Sequence, residues 1–86
     1  MINTENSKIQ LPFAKQVANF LNYELKQRGI TQKKFANMTG YSERQIRRWL
    51  KGDIGRLENV DDIIKTLNVS IRDIVFFGDD VPDAFL

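Results

Sequence analysis

Residues 32–51 read QKKFANMTGYSERQIRRWLK and hold the strongest structural signal in the chain. Two short runs, each with apolar residues three or four positions apart, lie on either side of Gly40. A glycine at this point permits a sharp turn, because it has no side chain to restrict the backbone. The pattern predicts a helix over residues 32–38, a turn, and a second helix over residues 43–51.

Capping residues and inward positions support both helices. Thr31 precedes the first, and Ser42 with Gln45 three positions on predicts a capping box at the start of the second. The second helix would bury its apolar face and direct its basic residues outward. Two short helices joined by such a turn form a helix-turn-helix. The expected inward residues of the pair are Phe35, Ala36, Ile46, Trp49 and Leu50.

Three further helices are predicted from apolar spacing, over residues 12–28, 57–67 and 71–76. Ser70 and Asp73 predict a capping box at the start of the last of these. The apolar stripe expected on the helix over residues 57–67 comprises Leu57, Val60, Ile63, Ile64 and Leu67.

The size and composition of the chain suit one small globular domain. It has 86 residues, of which 42% are hydrophobic and 28% are charged. With no alternating β pattern, the sequence predicts an all-α fold, a compact five-helix domain over residues 12–77. Residues 1–11 are expected to form a flexible polar lead, and residues 78–86 an acidic, apolar tail.

Several functions are excluded by residue types that the sequence lacks. Without Cys, no disulfide or thiolate zinc site can form, and without His the commonest general base is missing. No paired carboxylates, nucleophile with base, or phosphate-binding loop is evident, so we expect no enzyme, metal or cofactor. No signal peptide and no run approaching the ~20 apolar residues of a membrane span is present. We therefore expect a soluble, cytoplasmic protein that does not bind membranes.

Charge is distributed unevenly along the chain, although its net value is only +2. Residues 24–56 hold nine basic and three acidic residues, a net +6, whereas residues 57–86 hold two basic and seven acidic, a net −5. Such a domain can press its positive side onto phosphates while its negative side stays in solvent. Solvated helix faces would give the same counts, so charge alone leaves both interpretations open.

Three segments, in order, carry a resemblance to a known family: ELKQRGITQKKFA, YSERQIRRWLKG and LENVDDIIKTLNVSIRDIV. Over about residues 21–75 the chain resembles the helix-turn-helix family of the lambda repressor and Cro, also called the xenobiotic response element family. The resemblance implies a domain that binds double-stranded DNA and places its third helix in the major groove.

The resemblance also implies which residues contact DNA. Glu43, Arg44 and Arg48 take positions that usually meet base edges, where arginine can make a bidentate contact with guanine. Gln32 resembles the family glutamine that touches phosphate and braces the first recognition residue. The other expected phosphate contacts are Ser42, Gln45, Arg47, Lys51 and Arg56.

The function expected from these features is sequence-specific transcriptional regulation, with a homodimer repressing by occupying a two-fold symmetric operator. Because so short a chain leaves no room for a separate effector domain, occupancy is simpler than ligand-gated switching. Phe76, Phe77 and the apolar residues of the tail either close the core of one copy or pack against a second. The alternative function is a protein-interaction module, such as an antitoxin, that binds a partner protein through its C-terminal tail.

Overall fold

The computed structural model describes residues 11–78 and folds them into five α-helices. These are α1 Leu11–Arg28, α2 Gln32–Thr39, α3 Glu43–Leu50, α4 Leu57–Leu67 and α5 Ile71–Val75. No strand occurs within residues 11–78, so the predicted all-α, five-helix fold is confirmed. The lead and the tail predicted for residues 1–11 and 78–86 lie outside the described residues, except for Leu11 and Gly78.

Capping side chains begin three of the helices. Thr31 Oγ1 and Ser42 Oγ each accept a bond from the backbone N–H three residues on, at 3.0 and 3.1 Å. Ser70 and Asp73 exchange both bonds of a capping box at the start of α5. At α3 only the Ser42 half of the predicted box is formed, because within the described residues the Gln45 side chain does not return the second bond.

Helix ends differ from the predicted ones by one residue. α2 continues to Thr39, since Gly40, at φ 84°, closes it with a bond from its N–H to the Ala36 carbonyl at 2.9 Å. α3 ends one residue early, because the Lys51 N–H turns back to the Arg48 carbonyl three positions before it, at 3.1 Å. α1 begins, and α5 ends, one residue earlier than predicted.

The turn between α2 and α3 is held by the hydroxyl of Thr39. This hydroxyl donates to the carbonyls of Phe35 and Ala36, at 3.0 and 3.2 Å, and accepts from the Tyr41 N–H at 3.2 Å. The polar atom of Thr39 is thereby satisfied inside a partly buried turn. The turn fixes where α3 starts relative to α2.

One apolar core joins the five helices. Phe35, Ala36, Ile46 and Trp49 are buried, as predicted, and Leu50 packs against the same core while partly exposed. Burying an aromatic side chain such as Phe35 contributes roughly 2–3 kcal/mol to stability. The largest fully buried side chains are Trp49, Phe35, Leu21, Ile46, Ile63, Leu67, Ile74 and Val17.

The apolar stripe predicted for α4 was wrong at Leu57, which is 55% exposed. The buried face of α4 is formed by Asn59, Val60, Ile63 and Leu67. At 3.6 residues per turn, Leu57 lies about 100° from the centre of that face, on the flank of the helix. Burial on α4 thus follows packing against its neighbours and not apolar character alone.

The two aromatic residues after α5 behave differently. Phe77 packs against the core and meets the Phe20 ring edge to face, with ring centroids 5.7 Å apart. Phe76 is 59% exposed. Of these two residues, Phe77 therefore closes the core of one copy and Phe76 does not.

Candidate nucleic-acid interface

α3 is anchored by its apolar face, which packs against α1 and α2. Ile46 and Trp49 are fully buried there, three positions apart on one side of the helix. Arg44, Arg47 and Arg48 are exposed on the remaining surface of the helix. α3 therefore presents three guanidinium groups to solvent from a rigidly packed support.

The nine residues predicted to contact DNA come from three elements. Seven lie on α3 or at its two caps, with Ser42 as N-cap and Lys51 as C-cap. Gln32 is the first residue of α2, and Arg56 is the N-cap of α4. Gln45 is partly buried; the eight exposed residues are Gln32, Ser42, Glu43, Arg44, Arg47, Arg48, Lys51 and Arg56.

Charges along α3 follow the direction of its helix dipole. Glu43 lies in the first turn, near the positive end, and Arg47 and Arg48 lie in the last turn, near the negative end. The arrangement stabilises the helix while its exposed side remains strongly cationic. Such a side can accept the phosphates or base edges of a duplex.

Arg48 has a carboxylate partner that sequence reasoning missed. Its Nη2 lies 2.7 Å from Asp53 Oδ2, and its Nε donates to the same oxygen at 2.9 Å. Both side chains stay open to solvent, at 55% and 57% exposure. The sequence signal that could have revealed the pair is Gly52, which reverses the chain directly before Asp53.

Tyr41, the residue before the N-cap of α3, is tied to α4. Its hydroxyl donates to Asp62 Oδ2 at 2.5 Å and accepts from Asn59 Nδ2 at 3.4 Å. Its ring meets the Trp49 ring edge to face, with centroids 4.8 Å apart. The hydrogen bond to Asp62, followed by burial, raises the pKa of Tyr41 above its ordinary value. These contacts fix the amino end of α3 against α4.

The carboxyl end of α3 is fixed by Asn22 of α1. The Asn22 amide donates to the carbonyl of Ala18 at 2.8 Å and to that of Leu50 at 2.9 Å. The second bond satisfies one of the carbonyls that a helix end leaves without a partner. No local sequence pattern predicts this contact, because the two elements are far apart in the chain.

Residues 11–78 contain neither a candidate metal site nor a helix able to cross a membrane. No group of three or more acidic side chains there is placed to hold a metal ion. None of the helices in this part of the chain combines the length and apolar character needed to cross a membrane.

Comparison with known proteins gives a family for this fold. Residues 21–74, more than half of the chain, match the model of a helix-turn-helix family. No curated protein and no solved structure matches the chain. The domain of this family implies DNA binding, and the family is generally without catalytic activity. The resemblance in the sequence is thus confirmed, and the chain belongs to the Cro/C1-type helix-turn-helix family.

Proposed function

We propose that the protein is a cytoplasmic transcriptional regulator that binds double-stranded DNA sequence-specifically and represses by occupying its operator as a homodimer. The observation that carries the proposal is the exposed cationic side of α3, with Arg44, Arg47 and Arg48 on a helix whose other face is buried. Occupying a promoter requires no chemistry beyond DNA binding, so repression needs no further site.

Base recognition in this proposal rests on Arg44 and Arg48. A bidentate arginine contact with guanine O6 and N7 gives about 1–3 kcal/mol of discrimination against other bases. Glu43 contributes by accepting from cytosine N4 or by orienting a neighbouring arginine. All three side chains are exposed on α3, where a helix lying in the major groove directs them to base edges.

Phosphate contacts come from residues around this centre. Cations, hydroxyls and amides all donate to phosphate oxygens, and such bonds set the position of the protein on the duplex without reading sequence. Gln32 and Arg56, at the starts of α2 and α4, extend these contacts beyond α3. The proposed set is Gln32, Ser42, Gln45, Arg47, Lys51 and Arg56.

Dimerisation is proposed to use α5. Ile71, Val75 and Phe76 are 46%, 52% and 59% exposed, so an apolar patch on and directly after α5 faces solvent. In a two-fold symmetric dimer, each copy would bury this patch against the same patch of the other copy. The dimer would hold two copies of α3 about 34 Å apart, facing successive major grooves of a two-fold symmetric operator.

The protein-interaction alternative depends on the tail over residues 78–86, of which the structure describes only Gly78. The charge of α3 gives this alternative no support, because binding a partner through the tail does not need an exposed cationic helix. An antitoxin that also binds DNA would still use α3 as proposed here.

The test is selection of bound sequences from a random duplex pool, followed by anisotropy titrations on the selected duplex and a scrambled one. We expect a palindromic selected site. Arg44→Ala and Arg48→Ala should each lower the preference for that site by roughly 5- to 100-fold.

The matched control is Arg28→Ala, which removes the same charge from the end of α1, where Arg28 pairs with Glu24. This variant should keep the preference of the unmodified chain. A pool that yields no enriched sequence, or equal losses in all three variants, would contradict the proposed function.

A further inference from the structure

The carboxyl end of α3 forms a Schellman motif that aims Asp53 at Arg48. The Gly52 N–H donates to the Trp49 carbonyl at 3.0 Å, and the Asp53 N–H donates to the Arg48 carbonyl at 2.9 Å. Gly52 adopts φ 95°, a left-handed conformation that a side chain would strain. In this motif the residue after the glycine lies over the third residue from the helix end. Asp53 and Arg48 hold these two positions.

An ion pair takes the place of the usual apolar contact in this motif. The Asp53 carboxylate and the Arg48 guanidinium are both more than half exposed, so water screens their attraction. The pair therefore adds little to the stability of the fold. Its main consequence is the orientation that it gives to an arginine on the proposed DNA-binding surface.

Within residues 11–78, the contacts of the Arg48 guanidinium involve one of its two donor edges. Arginine has five N–H groups. The Asp53 carboxylate accepts from two of them, at Nε and Nη2, which form the side edge of the guanidinium. The end edge, formed by Nη1 and the outer N–H of Nη2, has no hydrogen-bond partner among the residues that the structure describes. That edge presents two parallel donors, which is the arrangement that guanine O6 and N7 accept.

We propose that Asp53 is a positioning residue for specificity, holding Arg48 so that the end edge of its guanidinium meets guanine. The proposal rests on the proposed function and adds a determinant that lies outside the recognition helix. Asp53 is also the single acidic residue between Arg44 and Leu57 in the sequence. Its charge opposes phosphates in every register, so it weakens non-specific binding while it orients the specific contact.

The experiment compares Asp53→Ala with Asp53→Asn on the duplex selected by the unmodified chain. The base pair read by Arg48 is first located as the position where Arg48→Ala loses its preference. We expect Asp53→Ala to lower the preference for guanine there about fivefold or more, a partial loss of a bidentate contact. Asp53→Asn keeps an oxygen acceptor and should retain part of the preference.

The control for the loss of one negative charge is Asp61→Ala, which removes a carboxylate that pairs with Lys65 on α4. This control should leave the preference unchanged. If Asp53 acted only through its negative charge, Asp53→Ala and Asp53→Asn would show the same preference for guanine. That result would overturn the proposal. Thermal unfolding midpoints of all variants should agree within a few degrees, since neither carboxylate is buried; if Asp53→Ala is unstable, Asp53→Asn supplies the test.

A double-mutant comparison shows whether Asp53 affects base preference through Arg48. In the Arg48→Ala background, Asp53→Ala should cause no further loss of base preference, because the residue that it positions is gone. An equal loss in both backgrounds would overturn the proposal. If the unmodified chain shows no sequence preference, the proposed function fails; if it does and Asp53→Ala keeps that preference, only the role of Asp53 fails.

Discussion

Tyr41 links α3 to α4 through both its ring and its hydroxyl. Its hydroxyl lies between Asp62 and Asn59 of α4, while its ring packs on Trp49 of α3. A single side chain thus joins the turn, α3 and α4. Removing the hydroxyl would leave the Asp62 carboxylate, which is only partly exposed, without this donor.

We expect Tyr41→Phe to lower the free energy of unfolding by about 1.5–3 kcal/mol at pH 7, the usual effect of losing a hydrogen bond to a charged group. The raised pKa of Tyr41 makes this loss depend on pH. Because the folded pKa exceeds the unfolded value of about 10, the stabilisation is complete below pH 10 and declines as pH rises through the folded pKa.

Urea unfolding followed by the fluorescence of Trp49, the one tryptophan of the chain, measures this difference at pH 7 and above pH 10. The two proteins should converge in stability at the higher pH. A difference that stays constant across this range would show that the hydroxyl does not act through Asp62.

At the scale of the helices, helix starts could be predicted from residues close together in the sequence. Contacts between different helices could not. Thr31, Ser42 and Ser70 fixed three helix starts, because a capping side chain bonds to backbone three residues away. Leu57 was misplaced because apolar spacing identifies a stripe but not which part of it meets a neighbour. Asn22 was missed because its partner is on another helix.

The same distinction applies to the candidate site. The cationic residues of α3 were predictable, since a buried Ile46 and Trp49 leave them facing solvent. The pairing of Arg48 with Asp53 was not predicted, because it depends on the backbone reversal at Gly52. Base contacts and phosphate contacts stay predictions, since both depend on a duplex.

α5 is held against α1 in a way that leaves one side of it free. The Gln16 amide donates to the carbonyls of Ile74 and Phe77, at 3.0 and 2.6 Å, and Ile74 is fully buried. With these contacts made, Val75 and Phe76 face solvent. The proposed dimer interface therefore lies on a helix that is held in place by the core.

We expect Val75→Asp to weaken self-association about tenfold or more, because a buried, unpaired carboxylate at the interface is costly. Sedimentation equilibrium gives the dissociation constant directly. The matched control is Leu57→Asp, which adds the same charge at an equally exposed apolar residue of α4. A chain that is monomeric at DNA-binding concentrations, or equal effects of the two changes, would count against α5 as the interface.

At the scale of the whole molecule, the division of charge sets how binding responds to salt. The segment over residues 24–56 carries +6, and most of the proposed phosphate contacts lie within α3 and its caps. A protein that neutralises several phosphates releases the same number of counterions, so its affinity falls steeply as salt increases. A partner protein bound through the tail would not require this dependence.

Lys51→Ala and Arg56→Ala should each reduce the slope of log affinity against log salt by about 1, while the ranking of duplex sequences stays the same. Lys65→Ala, which removes a cation from the acidic part of the chain where it pairs with Asp61, should leave the slope unchanged. Anisotropy titrations between about 50 and 200 mM salt cover the range in which several phosphate contacts change affinity by orders of magnitude. Equal slopes in all three variants would mean that the net charge of the molecule, and not the surface around α3, drives binding.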